Sequence, residues 1–190
     1  MDFKYRLTLF LLIISLFNLW GQTKSVLVEA ESFNDKGGWF IDQQSMDIMG
    51  SPYLIAHGMG TPVKEANTIV QFPAKGNYYV YVRTRNWTAP WSDIAAGKFR
   101  IKIEGQTLSK TFGQDEKDWH WSFGGKVKIK TNQVEISLLD LTGFNGRVDA
   151  IYFTKNKNDL PPNQLETLDE FRIKKLGLNQ NPKSSKFDFV

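Results

Sequence analysis

Four of the chain's six tryptophans lie in two short stretches, Arg83-Thr-Arg-Asn-Trp87-Thr-Ala-Pro-Trp91 and Asp118-Trp119-His120-Trp121. An indole has a broad apolar face and one N–H donor, so it suits a core, an interface or the flat face of a sugar ring. The proline between Trp87 and Trp91, with Arg85 and Asn86 beside it, marks a loop rather than the middle of a strand. A loop cannot easily bury two indoles, so Trp87 and Trp91 are candidates to stack on a pyranose ring. Arg85, Asn86 and His120 are the polar groups near enough in sequence to hydrogen-bond its hydroxyls. The alternative use of indole is packing. Trp39 reads as core, and Trp119 and Trp121 fit either role.

Glu29 and Glu31 are two residues apart in an extended segment, which puts them on one side of a strand. Like charges so placed need a basic neighbour, a hard oxygen-seeking cation such as Ca²⁺, or open solvent. On the residues alone, a solvated edge is the preferred reading. An acid and base pair for glycoside hydrolysis would have to flank a cleft, and neighbouring positions on one strand seldom do. His57 and His120 are the only histidines and there is no cysteine, so a zinc site would be short of ligands. No Gly-x-Ser-x-Gly nucleophile turn is present. Gly58-Met-Gly60 runs into Thr61-Pro62 and lacks the third glycine and helix of a dinucleotide turn. Asn86-Trp87-Thr88 matches a glycosylation sequon. No enzymatic activity is expected of this chain.

The elements that must position these groups are short strands. At 190 residues, 41% hydrophobic and 14% aromatic, the chain suits one domain with tails. Without cysteine it has no disulfides, so the core alone must hold it. The net charge of +4 sits at the two ends, whereas residues 25 to 154 carry as many acidic as basic side chains. A nucleic-acid partner is therefore not expected. From Val26 the hydrophobic period is two. Phe99, Ile101 and Ile103 face one side while Lys98, Arg100 and Lys102 face the other. Similar strands are expected over 26–31, 68–72, 78–85, 126–130, 133–139 and 148–154, with turns at 74–77, 104–105, 124–125, 131–132 and 145–146. That pattern predicts an all-β, two-sheet antiparallel jelly-roll sandwich over 25–158. Residues 39–63 are less regular and are expected to wrap one edge.

The ends read differently. Lys4 and Arg6, then an apolar run from Leu7 to Trp20, then Gly21, follow the order of a secretory signal peptide over 1–21. The mature protein would be secreted or periplasmic, with no membrane segment after cleavage. Asn163, with Glu166 three residues on, predicts a capped short C-terminal helix within 159–178, with Leu165, Leu168 and Phe171 on its apolar side and Gly177 as its stop. Residues 179–190 read as a linker ending in Phe187-Asp-Phe-Val190, like the first residues of a strand in a further domain.

Four segments carry a resemblance: Val28-Glu-Ala-Glu-Ser-Phe33, Gly76-x-Tyr78-x-Val80-x-Val82-Arg83, Phe99-x-Ile101-x-Ile103-x-Gly105, and Gly143-Phe-Asn-Gly-Arg-Val-Asp149-Ala-Ile151. In this order they resemble family 6 and family 35 carbohydrate-binding modules, whose fold is a galactose-binding-like β-sandwich. The resemblance implies a glycan or polysaccharide ligand at loops of the sandwich end, with Asn145 among the contacts. It also implies a structural calcium ion held by Glu29, Glu31 and Asp149, which reverses the preference for a solvated edge. Over residues 25 to 190 the chain is further similar to the N-terminal region of secreted bacterial FAD-dependent oxidoreductases. This implies a fragment or a separately encoded piece, with an FAD domain as partner. The glycines that would receive the FAD pyrophosphate are absent, so no FAD is expected in this chain. Alternatives are a docking module that packs on the oxidoreductase domain, and a polysaccharide hydrolase or lyase.

Overall fold

The computed structural model describes residues 25–177, which form ten strands, two helices and a 3-10 turn. The strands are β1 (Val26–Glu29), β2 (Trp39–Asp42), β3 (Tyr53–His57), β4 (Ala66–Gln71), β5 (Gly76–Thr84), β6 (Phe99–Ile103), β7 (Gln106–Thr107), β8 (His120–Ile129), β9 (Gln133–Asp140) and β10 (Phe144–Thr154). Ala30–Ser32 is the 3-10 turn after β1, α1 is Met46–Met49, and α2 is Leu165–Leu176. The expected signal peptide and the expected linker lie outside the described residues. Among the described residues no helix is long and apolar enough to cross a membrane.

The strands make two antiparallel sheets. One runs β2-β3-β10-β5-β8, and the other β4-β9-β6-β7. β10 organises the first sheet: β5 pairs along one edge, while β3 and β1 share the other edge end to end. The period-two residues of β6 behave as expected, with Phe99, Ile101 and Ile103 buried and Arg100 and Lys102 turned outward. They meet Val80, Val82, Ile151 and Phe153 of the larger sheet in the inter-sheet core, where Trp39 sets its ring edge-on to Phe99 at 5.8 Å. The architecture is the expected all-β sandwich with a short C-terminal helix.

Four local expectations need correction, the first being the turn at 145–146, which is a bulge inside β10. Residues 39–63 hold two real strands, β2 and β3, which form one edge of the larger sheet. Their pattern is masked because β3 is covered on both faces. Leu54 and Ala56 face the inter-sheet core, while Tyr53 and Ile55 join Met49 and Trp119 on the other side. Gly124-Gly125 is not a turn but a bulge inside β8, opposite Val80 and Tyr81, with Gly125 at φ 110° where a side chain would be strained. Asn163 does not cap α2. Gln164 holds that position without a side-chain bond, and the Asn163 amide instead donates to the Trp119 carbonyl at 2.6 Å and accepts from Arg83 Nε at 3.0 Å. Gly177 does end the helix, in the left-handed region at φ 67°.

Candidate functional site

Two bulges in β10 set two polar sites among the described residues. One falls between Phe144 and Gly146, where Asn145 is the extra residue against β3, and the other between Val148 and Ala150, where Asp149 is the extra residue against β5. A bulge re-aims the side chain it carries. Asn145 takes the left-handed conformation at φ 56°, which asparagine tolerates better than most residues.

Asn145 opens onto a cleft of about 940 Å³ across β2, β3 and β10, with Phe40, His57 and Arg147 among its walls. His57 Nδ1–H donates to Asn145 Oδ1 at 2.6 Å, and one Arg147 N–H returns to the Asn145 carbonyl at 3.0 Å. Past Arg147 and Gln44, which both hollows share, lies a second hollow of about 300 Å³ lined by Tyr53, Arg85, Trp87 and Trp91. Of the residues singled out in the sequence, Arg85, Trp87, Trp91 and Asn145 therefore meet around one continuous groove.

The two loop tryptophans are not equivalent. Trp87 donates its indole N–H to the Phe144 carbonyl at 3.0 Å, and the Arg147 guanidinium sits 5.1 Å from its ring centroid. One face of Trp87 is thus already covered. Trp91 stands 6.2 Å from Trp87 at 60° and is 75% exposed, so its face is the free one. The loop that carries it is pinned from within. Asn86 is buried and its Oδ1 accepts from the Thr88 backbone N–H at 3.2 Å and hydroxyl at 2.9 Å. The Thr88 hydroxyl also reaches the Ile94 carbonyl at 2.9 Å. The Asn86 amide is thus engaged within the loop and does not line the groove, and the sequon's asparagine is buried in the folded chain. His120 does not line the groove either. Its Nδ1 faces the Asp118 carbonyl at 3.0 Å and its Nε2 is buried with no partner among the described residues.

Arg85 Nε is buried with no hydrogen-bond partner in the described residues. Burial, and then the like charge of Arg147, lower the Arg85 guanidinium's pKa. Arg147, Tyr53 and His57 are groove residues that the Trp-centred reading of the chain missed. Arg147 was in view, since it falls within the quoted Gly143 to Ile151 segment. Trp119 and Trp121 resolve as packing: Trp119 sets its ring 5.0 Å from Tyr53, while Trp121 donates to the Pro162 carbonyl at 3.0 Å and lies against Tyr152.

The carboxylates implied as calcium ligands lie elsewhere, beside α2. Glu29 ends β1 and Glu31 falls in the 3-10 turn, so they are not a period-two pair on a strand, although both line one hollow with Arg172 and Asp169. Arg172 Nε is 2.9 Å from Glu29 Oε1, its Nη2 is 2.7 Å from Asp149 Oδ2, and its Nη1 donates to the Met49 carbonyl. Arg83 Nη1 reaches the same Asp149 Oδ2 at 3.0 Å, and the Ser51 hydroxyl donates to Oδ1 at 3.1 Å. Arg83, Asp149, Glu29 and Arg172 are all buried. Burial pushes the Glu31 carboxyl up to about 8, and Glu29 beside it adds to the shift. Burial pushes Glu29 up to about 7 against the pull of Arg172.

A calcium ion needs six to eight oxygens converging at about 2.3–2.6 Å. Here Glu29 Oε1 and Asp149 Oδ2 instead face two different nitrogens of one guanidinium. Among the described residues no group of three or more His, Cys, Asp or Glu side chains is gathered so as to hold a metal ion. The three carboxylates as arranged do not fit one.

No family model matches the chain, and no curated protein sequence does. Solved structures do match. A β-(1,4)-mannanase from Podospora anserina that carries a family 35 module aligns at TM-score 0.56 and 15% identity, over 74% of this chain and 29% of that one. The chain thus spans less than a third of that enzyme. A family 35 carbohydrate-binding module from Clostridium thermocellum aligns at 0.53 and 18%, over 68% of this chain and 96% of the module. The C-terminal family 6 module of LamC, a marine laminarinase from Zobellia galactanivorans, aligns at 0.50 and 19%, over 69% and 99%. At such identities the likeness is one of fold: this chain is a two-sheet β-sandwich built like the family 35 and family 6 carbohydrate-binding modules.

Proposed function

We propose that the chain is a non-catalytic carbohydrate-binding module, secreted or periplasmic, whose ligand is a glycan or polysaccharide lying in the groove between Asn145 and Trp91. The observation that carries this reading is the exposed face of Trp91 beside a wall of hydrogen-bond donors. An indole face accepts the C–H side of a pyranose, while Arg85, Arg147, Asn145 and His57 match its hydroxyls. Trp87 serves as the post that holds the loop and Arg147 in place. The fold likeness supports the same class of ligand.

Affinity electrophoresis through polysaccharide gels, β-1,4-mannan and laminarin included, tests it. The wild type should be retarded by at least one polysaccharide, and Trp91→Ala should lose about tenfold in affinity, or roughly 1.4 kcal/mol, with its melting temperature kept. Equal retardation of the two proteins would contradict the assignment.

A second reading has its own observation. Phe40, Ile41 and Ile48 are exposed near the same groove, an apolar fringe that suits docking against another protein domain. An FAD domain, following in the same chain or encoded separately, is the partner the sequence resemblance implies. Protection of Trp91 from iodide quenching by such a domain, with no polysaccharide retardation, would favour docking. For the hydrolase or lyase alternative, Glu29 and Glu31 lie away from the groove beside Arg172, and turnover of a polysaccharide by the purified chain is its test.

A further inference from the structure

We propose that Arg172 is the resident cation of the carboxylate cluster, so that the chain's own C-terminal helix closes the end of β1 in place of a divalent metal ion. The cluster gathers oxygens from three separate parts of the chain: the end of β1, the end of α1 and the second bulge of β10. Bringing them together buries negative charge and requires a positive partner. Arg172 meets all three at once, through Nε to Glu29, Nη1 to the Met49 carbonyl and Nη2 to Asp149. A planar five-donor fork is suited to such a set because each oxygen finds its own N–H. Asp169, one turn earlier on α2, lies 3.8 Å from Nη1 on the exposed side.

The charge count closes without a metal. Glu29 and Asp149 are matched by Arg172 and Arg83, which both bond Asp149 Oδ2. Glu31 is the carboxyl left over. Its Oε2 is buried with no hydrogen-bond partner among the described residues. The way α2 is attached agrees. Leu168 and Arg172 are the residues it buries, with the half-buried Phe171 set 5.1 Å from Tyr152 beside them. The domain therefore extends through α2. This holds whatever the groove binds.

The test is thermal melting and calorimetry of the full chain. The wild type should melt at the same temperature in excess chelator and in excess CaCl₂, and titration with CaCl₂ should give no binding heat. A melting temperature that falls with chelator or rises with calcium would overturn the proposal. Arg172→Met, which keeps an unbranched apolar stem and removes the guanidinium and its charge, should lower the melting temperature by roughly 6 °C or more. Melting like the wild type would also overturn it. If Arg172→Met gives no folded protein, Arg172→Lys decides: it should fold with a lowered melting temperature that neither chelator nor calcium moves, and recovery to the wild-type value by calcium would count against Arg172.

Discussion

Asp149 Oδ2 accepts from two arginines of opposite origin, Arg83 Nη1 of β5 at 3.0 Å and Arg172 Nη2 of α2 at 2.7 Å. One carboxylate oxygen, lifted out of the β10 ladder by a bulge, thus ties the larger sheet to the C-terminal helix. The same strand, four residues earlier, uses its other bulge to put Asn145 on the groove. β10 therefore carries both the sandwich's internal lock and part of its proposed ligand site.

Asp149→Asn should be among the most damaging single substitutions. It leaves two buried guanidinium groups facing a neutral amide, and uncompensated buried charge costs about 3–5 kcal/mol. Chemical denaturation of the variant against the wild type measures this. A loss near the level of a surface substitution would mean that the cluster is wet and weakly coupled.

Stability should fall as the solution becomes more alkaline across the range set by Glu31. Its carboxyl sits near 4.5 in the unfolded chain and near 8 when folded. Between those values the folded chain holds a proton the unfolded chain has lost, so the contribution is complete below pH 4.5 and gone above about 8. Glu29, raised to about 7, adds in the same direction over the lower part of the window. Glu31→Gln should flatten the profile and melt several degrees above the wild type at alkaline pH, at roughly 2–4 °C per kcal/mol. Parallel profiles for the two proteins would show that Glu31 is solvated.

Trp87 and Trp91 should separate in their effects. Trp87→Ala removes the bond to the Phe144 carbonyl and the seat of Arg147, and should cost about 1–3 kcal/mol of stability together with binding. Trp91→Ala should leave stability almost unchanged and act on binding alone. Melting curves beside affinity gels make the comparison, and loss of stability by Trp91→Ala would indicate that its exposed face packs in solution.

Asn86→Ala should loosen the loop rather than remove a sugar contact. The Thr88 N–H loses its acceptor, while the hydroxyl keeps the Ile94 carbonyl, at a cost of about 1–3 kcal/mol. Faster amide exchange over residues 86–96 would report it. Unchanged exchange with lost binding would return Asn86 to the list of ligand contacts.

How much of this was legible varies along the chain for physical reasons. The half-buried strands were visible because one face meets the core and the other water, as in Phe99 to Ile103. β3 was hidden because Tyr53 and Ile55 are covered as fully as Leu54 and Ala56. The loop position of Arg85, Trp87 and Trp91 was legible from Pro90 and its neighbours. The inward bonds of Asn86 to Thr88 were not legible, because sequence does not tell a side chain that reaches outward from one that folds back on its own loop. Arg172 was invisible. It sits among Lys174, Lys175 and acidic neighbours on a polar helix, and only the three-dimensional meeting of β1, α1 and β10 gives it an inward role.

The claim that matters most is that the groove beside Trp91 receives a sugar. The direct measurement is the indole N–H spectrum of ¹⁵N-labelled protein during titration with the oligosaccharide of whichever polysaccharide retards it. The Trp91 resonance, and the Arg85 Nε–H with it, should shift saturably, while the core indole of Trp39 stays in place. Saturable shifts that leave Trp91 and Arg85 unmoved would contradict the account.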